Sequence, residues 1–196
     1  MLQMSYKDVF KMPKPVKIIG RTSTITNAFV NGIIPVIVPT QDEIEEALSI
    51  LGMTDKTICC AYCGDAYTEW DHLRPLIKDK KATGYVSEIH NLIPACGKCN
   101  QSKGNKEWKT WMYSNAKLSP FSRKIPDLDD RCAKIEEYEN WGKPLKVDIE
   151  AVVGKEKWEE HWENCERIKQ LMKLSQQLSD EIRQQLQTAL KDTNLQ

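Results

Sequence analysis

Four cysteines occur as two Cys-x-x-Cys pairs, Cys60 with Cys63 and Cys96 with Cys99, in a chain of 196 residues. Two such pairs supply the four thiolates that a structural Zn²⁺ takes in a tetrahedron. The pattern therefore predicts one structural Zn²⁺ with no open coordination position for a substrate. Cys59 is the alternative to Cys60 as a ligand, although its gap to Cys63 is less usual.

An Asp-His pair, Asp71-His72, lies in the 32 residues between the two cysteine pairs. Phosphodiester hydrolysis needs a base that deprotonates water and positive charge beside the phosphorane. An imidazole titrates near neutral pH, so His72 suits the base, and the Asp71 carboxylate is the hard ligand that Mg²⁺ prefers. Neighbouring side chains on a strand point to opposite faces. We therefore expect the pair at a strand end or a bulge, where both side chains can serve one site.

Asn100 directly follows the second cysteine pair, at the start of a helix predicted over residues 98–114. From there its amide oxygen is placed to complete a metal site with Asp71, beside the zinc. Lys103 lies one helical turn later and is expected to hold a phosphate, with Lys106 next to it.

These residues, taken in order, resemble the HNH, or ββα-metal, nuclease family. The matching pattern is Cys-x-x-Cys, then Asp-His-x-x-Pro, then Asn-Leu-x-Pro-Ala-Cys-x-x-Cys-Asn-x-x-Lys, and it covers residues 59–107. Each piece alone is weak, but the order and spacing together are specific. The form with a zinc knuckle is common among the restriction and homing enzymes of that family.

The resemblance implies a role for each matched residue. Asp71 and Asn100 would bind the catalytic metal, and His72 would be the general base. Asn91 matches the middle Asn, which holds the loop and orients the His72 backbone. With Asn at the third position a hard ion is expected, Mg²⁺ or alternatively Mn²⁺. His90 is either a substrate contact or an alternative imidazole.

Positive charge is concentrated in the middle of the chain. Residues 72–124 hold eleven Lys or Arg against three acids, a net charge of +8, whereas residues 125–170 hold eight against thirteen, a net charge of −5. The basic segment is expected to meet phosphate, although the net charge of the whole chain is zero. Four basic residues between the base and the middle Asn either contact the DNA backbone or a base edge or form a solvated loop: Arg74, Lys78, Lys80 and Lys81.

An α+β fold is expected to position these residues. It is predicted as a ββα-metal core, stapled by the four-cysteine zinc site and surrounded by N-terminal and mainly helical C-terminal extensions. Two antiparallel strands at about 66–72 and 91–95 would precede the helix that carries Asn100. The predicted domains are an N-terminal extension at 1–57, the zinc-bound nuclease core at 58–114 and a mainly helical region at 115–196.

The flanking regions have weaker patterns. The β-branched stretches Val16–Ile19 and Ile33–Val38 predict short strands, and Thr40-Gln41-Asp42-Glu43 fits a capping box that opens a helix ending at Gly52. Further helices are predicted over about 131–141 and 148–191. Buried core positions are predicted for Trp108, Trp111, Cys132 and Cys165, and a helix-surface position for His161.

The last predicted helix carries an apolar stripe whose later spacings are all four, so it drifts around the helix rather than following a strict heptad. The stripe either packs on its own domain or forms a dimer contact. Its residues are Ile168, Leu171, Leu174, Leu178, Ile182, Leu186 and Leu190.

Composition excludes several classes of protein. The hydrophobic share of 40 % and the charged share of 29 % are ordinary for a globular chain. No run approaches the roughly 18 apolar residues of a membrane span, and no secretory signal opens the chain. We therefore expect a cytoplasmic protein with no membrane partner. A motor-driven nuclease is not expected, because the chain has no Walker A sequence.

The leading hypothesis is a site-specific endonuclease for double-stranded DNA, a type II restriction enzyme that uses structural Zn²⁺ and catalytic Mg²⁺. A homodimer would cut both strands of a short palindrome. One alternative is a homing or mobile-element HNH endonuclease, which would tend to act as a monomer on a longer, asymmetric site. The other is a zinc-dependent DNA-binding module without cleavage, but the intact set of Asp71, His72 and Asn100 argues against it.

Overall fold

The computed structural model describes residues 13–193. The described residues divide into two compact units, one of residues 27–158 and one of residues 13–26 with 159–193. The fold is α+β, as predicted. The division into motif-based segments at 1–57, 58–114 and 115–196 remains a prediction.

The secondary structure is short and irregular around the cysteines and long at the C-terminal end. Two 3-10 turns cover Ile18–Arg21 and Ile89–Asn91. The strands are β1 (Glu69–His72), β2 (Ile77–Lys78), β3 (Lys81–Ala82) and β4 (Leu92–Ala95). The α-helices are α1 (Thr22–Asn31), α2 (Gln41–Ile50), α3 (Gly97–Lys103), α4 (Trp108–Met112), α5 (Leu128–Trp141), α6 (Ile149–Val153) and α7 (Lys155–Thr193).

A ββα arrangement forms the centre of the larger unit. Strands β1 and β4 pair antiparallel, from Glu69 opposite Ala95 to His72 opposite Leu92, and β4 leads directly into α3. The two predicted core strands are confirmed, each shorter than expected. His72 is the last residue of β1, so the Asp-His pair lies at a strand end, where its two side chains need not serve opposite faces of a sheet.

The continuous helix predicted over residues 98–114 is wrong, because two helices occupy this stretch. Gly104 ends α3 in a backbone conformation with φ of 51°, which favours glycine. The Glu107 side chain then begins α4 by accepting hydrogen bonds from the backbone N–H groups of Lys109 and Thr110. The break turns α4 so that Trp108 and Trp111 enter the core, at 2 % and 0 % exposure, as predicted.

The two strands predicted in the N-terminal region are also wrong. Residues 18–21 form a 3-10 turn, and residues 33–38 contribute an isolated parallel bridge between Val36 and Ser87. Helix α1, which the sequence did not predict, lies between them. β-branched residues favour strands only where a neighbouring strand can pair with them.

The predicted helices that begin at the capping box and at about residue 131 are confirmed, as α2 and α5. The backbone N–H of Glu43 donates to the Thr40 hydroxyl oxygen, and Glu43 accepts from the Thr40 backbone, so the capping box forms at the start of α2. The helix predicted over 148–191 is divided into α6 and α7 at Gly154, whose φ is 88°. In the smaller unit, the backbone N–H of Ile18 donates to Gln176 Oε1 of α7 at 2.6 Å.

The core of the larger unit surrounds the cysteine pairs. Tyr62, Leu73, Ile93 and Tyr138 are each at most 1 % exposed, and they pack with the two tryptophans of α4. Cys132 and Cys165 are buried, as predicted. Among residues 13–193, no helix combines the length and the apolar content needed to cross a bilayer.

Candidate active site and zinc centre

Four cysteine thiols converge in the core of the larger unit. The sulfur atoms of Cys60, Cys63, Cys96 and Cys99 all lie within 4.8 Å of one another, and all four residues are buried. The Sγ atoms of Cys63 and Cys96 are 3.7 Å apart, close to the roughly 3.8 Å edge of a tetrahedron with Zn–S bonds of about 2.3 Å. The cluster contains Cys60 and excludes Cys59. These residues therefore fit one Zn²⁺ with four sulfur ligands.

Local backbone geometry brings each pair of thiols together. After Cys60, the backbone turns tightly at Gly64, whose φ is 78°, and the Gly64 N–H donates to the Cys60 carbonyl. Cys96 is the N-cap of α3, and Cys99 follows in its first turn. A hydrogen bond with Cys63 raises the pKa of the Cys60 thiol to about 12, and the same bond lowers the pKa of Cys63. Metal binding would displace such shared protons.

Arg123 is a neighbour of this cluster that the sequence did not single out. Its Nη1 donates to Cys99 Sγ at 3.4 Å, and its Nη2 pairs with Asp65 at 2.7 Å. Four thiolates around Zn²⁺ carry a net charge of −2, so a guanidinium beside one sulfur offsets part of that charge.

The Asp71 carboxylate is buried and held by two donors. The Tyr62 hydroxyl donates to Asp71 Oδ2 at 2.8 Å, and the Lys103 ammonium lies 3.0 Å from Oδ2 and 3.3 Å from Oδ1. Burial raises the pKa of the Asp71 carboxyl, while Lys103 and Tyr62 act in the opposite direction. The Lys103 ammonium also donates to the backbone oxygen of His72 at 2.7 Å. One lysine thus ties together both residues of the Asp-His pair.

The His72 imidazole is held through one of its two ring nitrogens. Its Nε2 is 2.8 Å from the Ser87 hydroxyl. Burial lowers the pKa of His72 to about 4, and the Lys103 charge acts in the same direction. The ring is therefore neutral near pH 7, the state in which it can accept a proton. Ser87 belongs to no motif, so the sequence offered no signal for it.

Asn91 closes the loop between the Asp-His pair and β4. It is fully buried, and its Oδ1 accepts from the Arg74 N–H at 2.8 Å. Its Nδ2 donates to the backbone oxygens of Arg74 at 3.2 Å and Val86 at 3.4 Å. The Leu73 N–H donates to the Asn91 carbonyl at 2.8 Å. These contacts fix the backbone that follows His72, and the role of Asn91 in orienting His72 stays a prediction.

Asp71, His72 and Asn100 line the same open cleft, with a volume of about 350 Å³. Its oxygen donors, a carboxylate and an amide, are the type that hard divalent ions prefer, so the residues present fit Mg²⁺ or Mn²⁺. A larger groove of about 470 Å³, near Lys146 and Trp158, contains none of the predicted site residues. The remaining residues of the cleft are Asn27, Asn31, Glu69, Pro75, Leu76, Ile77, Gln101, Gly104 and Asn105.

Two of the basic residues predicted to contact phosphate, Lys103 and Arg74, instead form contacts within the protein. Lys103 has no exposed surface, because its ammonium is used internally by Asp71 and the His72 carbonyl. Arg74 is turned toward α5, where it pairs with Glu139 at 3.1 Å. In both cases an acidic side chain of the folded chain pairs with the basic residue in place of a phosphate. The expectation that Lys103 and Arg74 contact DNA is therefore corrected.

The other predicted DNA contacts are exposed. Lys78, Lys80 and Lys81 lie on the β2–β3 hairpin, and the exposed Lys106 donates to the Ser102 carbonyl at 2.8 Å. His90 is not part of the cleft. Its ring lies 4.4 Å from that of Trp141, and its Nδ1 is buried without a hydrogen-bond partner among the described residues.

Comparison with known proteins agrees with this geometry. A family model described as HNH endonuclease matches residues 60–106. The chain is 39 % identical over 56 residues to a protein of Corynebacterium diphtheriae named CRISPR-associated endonuclease Cas9, a match that covers 26 % of this chain and 5 % of that protein. The chain thus spans about a twentieth of that relative's length. No solved structure gives a significant match.

Proposed function

We propose that this chain, whose residues 60–106 are an HNH endonuclease domain, is a site-specific endonuclease for double-stranded DNA of the type II restriction class. The observation that carries the proposal is the single open cleft that holds Asp71, His72 and Asn100 beside the four-cysteine centre. The reaction is phosphodiester hydrolysis with His72 as general base. None of the seven cysteines forms a disulfide, which a reducing compartment favours, and this supports a cytoplasmic location.

The His72 imidazole accepts the proton of the attacking water. When Ser87 Oγ accepts from Nε2–H, the lone pair of the neutral ring stands on Nδ1, which becomes the basic atom. Ser87 is itself held in place, since its N–H donates to the Pro35 carbonyl at 3.1 Å and its carbonyl accepts from the Ile37 N–H at 2.9 Å. The segment before α2 therefore orients the base.

Asp71 and Asn100 are the residues that would hold the catalytic divalent ion. When bound, Mg²⁺ or Mn²⁺ supplies positive charge for the phosphorane and the departing 3′ oxygen. Lys103 and Tyr62 orient the Asp71 carboxylate before any ion binds. Asn91 keeps His72 at the strand end by holding the backbone after it.

The direct test is to incubate the purified chain with a long DNA and Mg²⁺ and to sequence the ends. Discrete ends with both strands cut at a short palindrome support the proposal, and a smear of ends would show a nonspecific nuclease. Nicking of a long asymmetric site would favour the homing-type alternative. DNA binding without any cutting would favour the zinc-dependent binding module.

The β2–β3 hairpin is the proposed contact with the DNA backbone. Its turn residues Asp79 and Lys80 have φ of 51° and 64°, the pattern of a tight two-residue hairpin turn. Lys78, Lys80 and Lys81 are exposed on this hairpin, and Ile77 at its base lines the cleft. Three exposed lysines thus lie on a hairpin whose base lines the cleft.

The triple variant in which Ala replaces Lys78, Lys80 and Lys81 is expected to bind DNA more weakly. Its affinity should also depend less steeply on the salt concentration. Each lost phosphate contact should reduce the slope of log K against log salt by roughly 0.9, so three should reduce it by about 3. Fluorescence anisotropy between about 50 and 200 mM salt measures the slope. The matched control replaces three exposed lysines outside the cleft: Lys56, Lys117 and Lys143. An unchanged slope in the hairpin variant would remove this surface from the DNA interface.

The apolar stripe of α7 is the proposed dimer contact. Its seven side chains, from Ile168 to Leu190, are between 40 and 64 % exposed. Buried residues of the same helix, such as Cys165 and Gln176, lie away from the middle of the stripe at Leu174, Leu178 and Ile182, which is left uncovered in one chain. A contiguous apolar surface of this kind marks a contact with another protein. Burying half of each of seven such side chains would stabilise a dimer by several kcal/mol, at about 1 kcal/mol each.

A second copy of this chain is the occupant that the chemistry favours. Each chain has one cleft with Asp71, His72 and Asn100, and the strands of a duplex run antiparallel. A two-fold axis would place one cleft on each strand and make the target self-complementary.

The double variant Leu178→Lys, Leu186→Lys is expected to be a monomer near 22.6 kDa by light scattering, whereas the native chain should have about twice that mass. Charges on the stripe would have to be buried without partners in the dimer. The monomer should nick one strand of the site. The control, Gln177→Lys with Gln184→Lys, alters the other side of α7 and should stay dimeric. A native chain that binds its site one-to-one and nicks one strand would overturn the dimer.

A further inference from the structure

Tyr62 connects the zinc knuckle to the catalytic cleft. It is one of the two residues between Cys60 and Cys63, has no exposed surface, and donates its hydroxyl to Asp71 Oδ2 at 2.8 Å. We propose that Tyr62 is a positioning residue, through which the zinc knuckle sets the orientation of the Asp71 carboxylate toward the divalent ion. This inference rests on the proposed role of Asp71 as a ligand of that ion.

The hydrogen bonds of Asp71 distinguish its two oxygens. Oδ2 accepts the hydrogen bond from the Tyr62 hydroxyl at 2.8 Å, and it lies 3.0 Å from the Lys103 ammonium in an ion pair. Oδ1 accepts the hydrogen bond from Lys103, at the longer distance of 3.3 Å. Because the two shorter contacts are both on Oδ2, Oδ1 is the oxygen with more remaining capacity for an ion.

The Tyr62 hydroxyl is held rigidly from the zinc side. Its ring meets the Trp111 ring edge to face, with centroids 5.2 Å apart. The backbone on one side is fixed by a hydrogen bond from the Ala61 N–H to the Pro94 carbonyl of β4, at 2.9 Å. On both sides the chain continues into cysteines of the cluster. A shift of the knuckle would therefore move the hydroxyl and release Asp71.

The test compares metal binding in Tyr62→Phe and in the native chain, both in the His72→Ala background so that DNA cutting does not interfere. Phe keeps the ring and its contact with Trp111 but removes the donor. We expect one Zn²⁺ per chain in both proteins, and Mn²⁺ binding, measured by electron paramagnetic resonance, weakened about tenfold or more. In active enzyme, the Mg²⁺ concentration for half-maximal cleavage should rise by the same factor.

The matched control is Tyr113→Phe, which removes a hydroxyl that donates to Asp129 outside the cleft and should leave Mn²⁺ affinity unchanged. Two further replacements at Tyr62 preserve its size. 4-Aminophenylalanine retains a donor and should restore Mn²⁺ affinity, whereas 4-methylphenylalanine fills the space without donating and should not. Comparing these two replacements tests the role of the Tyr62 donor even if Tyr62→Phe proves unstable.

Unchanged Mn²⁺ affinity in the 4-methylphenylalanine protein, with its zinc retained, would overturn the positioning role. Equal weakening in the 4-amino and 4-methyl proteins would also overturn it, since the donor would then not matter. The failure of the proposed function is a separate result, because a chain that binds Mn²⁺ but cuts no DNA would refute the nuclease proposal and leave the Mn²⁺ comparison valid.

Discussion

The His72→Ala protein is expected to bind its DNA site with nearly native affinity and to cut it about 10²- to 10⁴-fold more slowly. A general base acts only in the chemical step, and its loss removes a contribution of that size. The side chain lies at the end of β1 and in the cleft, and Ala leaves the Lys103 contact with the His72 backbone carbonyl in place. Single-turnover cleavage measures the rate, and gel-shift titration measures binding.

The control for this prediction is His161→Ala, a histidine on α7 that is not part of the cleft and whose variant should cut at the native rate. Asp71→Ala and Asn100→Ala should also lose cleavage, but by losing Mn²⁺ binding, which His72→Ala should keep. This contrast separates the base from the proposed metal ligands. Cutting by His72→Ala at the native rate would show that another group deprotonates the water.

Cys96→Ser is expected to lose zinc and fold together. The four sulfurs lie inside the main core, beside fully buried residues such as Tyr62 and Trp111. Zinc binding contributes on the order of 10 kcal/mol in small zinc domains, comparable with the roughly 5–15 kcal/mol by which a whole domain is stable. Elemental analysis should give one zinc per native chain and none in the variant, which should show no cooperative thermal transition.

Cys59→Ser is the matched control, because Cys59 adjoins Cys60 but is not part of the cluster. This variant should keep one zinc and a native melting temperature. Zinc affinity in the native chain should fall as the pH is lowered, since protons compete with the metal for the four thiolates. Freshly purified, folded native chain without zinc would refute the prediction.

The predicted effects of His72→Ala and Cys96→Ser involve neighbouring parts of the chain, the first cysteine pair and strand β1. The cysteine knuckle proposed to hold zinc contains Tyr62, and β1, which begins six residues after Cys63, ends in Asp71 and His72. With the proposed roles, a metal with no open position would influence catalysis by fixing the residues that orient Asp71. This coupling is structural, so it should respond to loss of the Tyr62 hydroxyl while the zinc stays in place.

Local spacing was enough to predict much of this protein. Cys-x-x-Cys pairs and an adjacent Asp-His pair are determined over a few residues. The clustering of the four cysteines, the position of Asp71 and His72 at a strand end, and the capping box at Thr40 could therefore be predicted from the sequence. Secondary-structure propensity gave wrong predictions where strand pairing or a helix-ending glycine determined the local structure. Residues 33–38 form one isolated β-bridge and no strand. Gly104 divides a helix that was predicted to be continuous.

Tertiary structure alone decided how the site residues are held. Lys103 lies one turn from Asn100 in sequence, yet it is fully buried against Asp71, 32 positions away. Ser87 reaches His72 and Tyr62 reaches Asp71 because packing brings these segments together, and Arg74 is drawn to Glu139 rather than to solvent. Residue types and short spacings determine which chemistry is available, whereas burial and the competition among buried charges determine which side chain performs it.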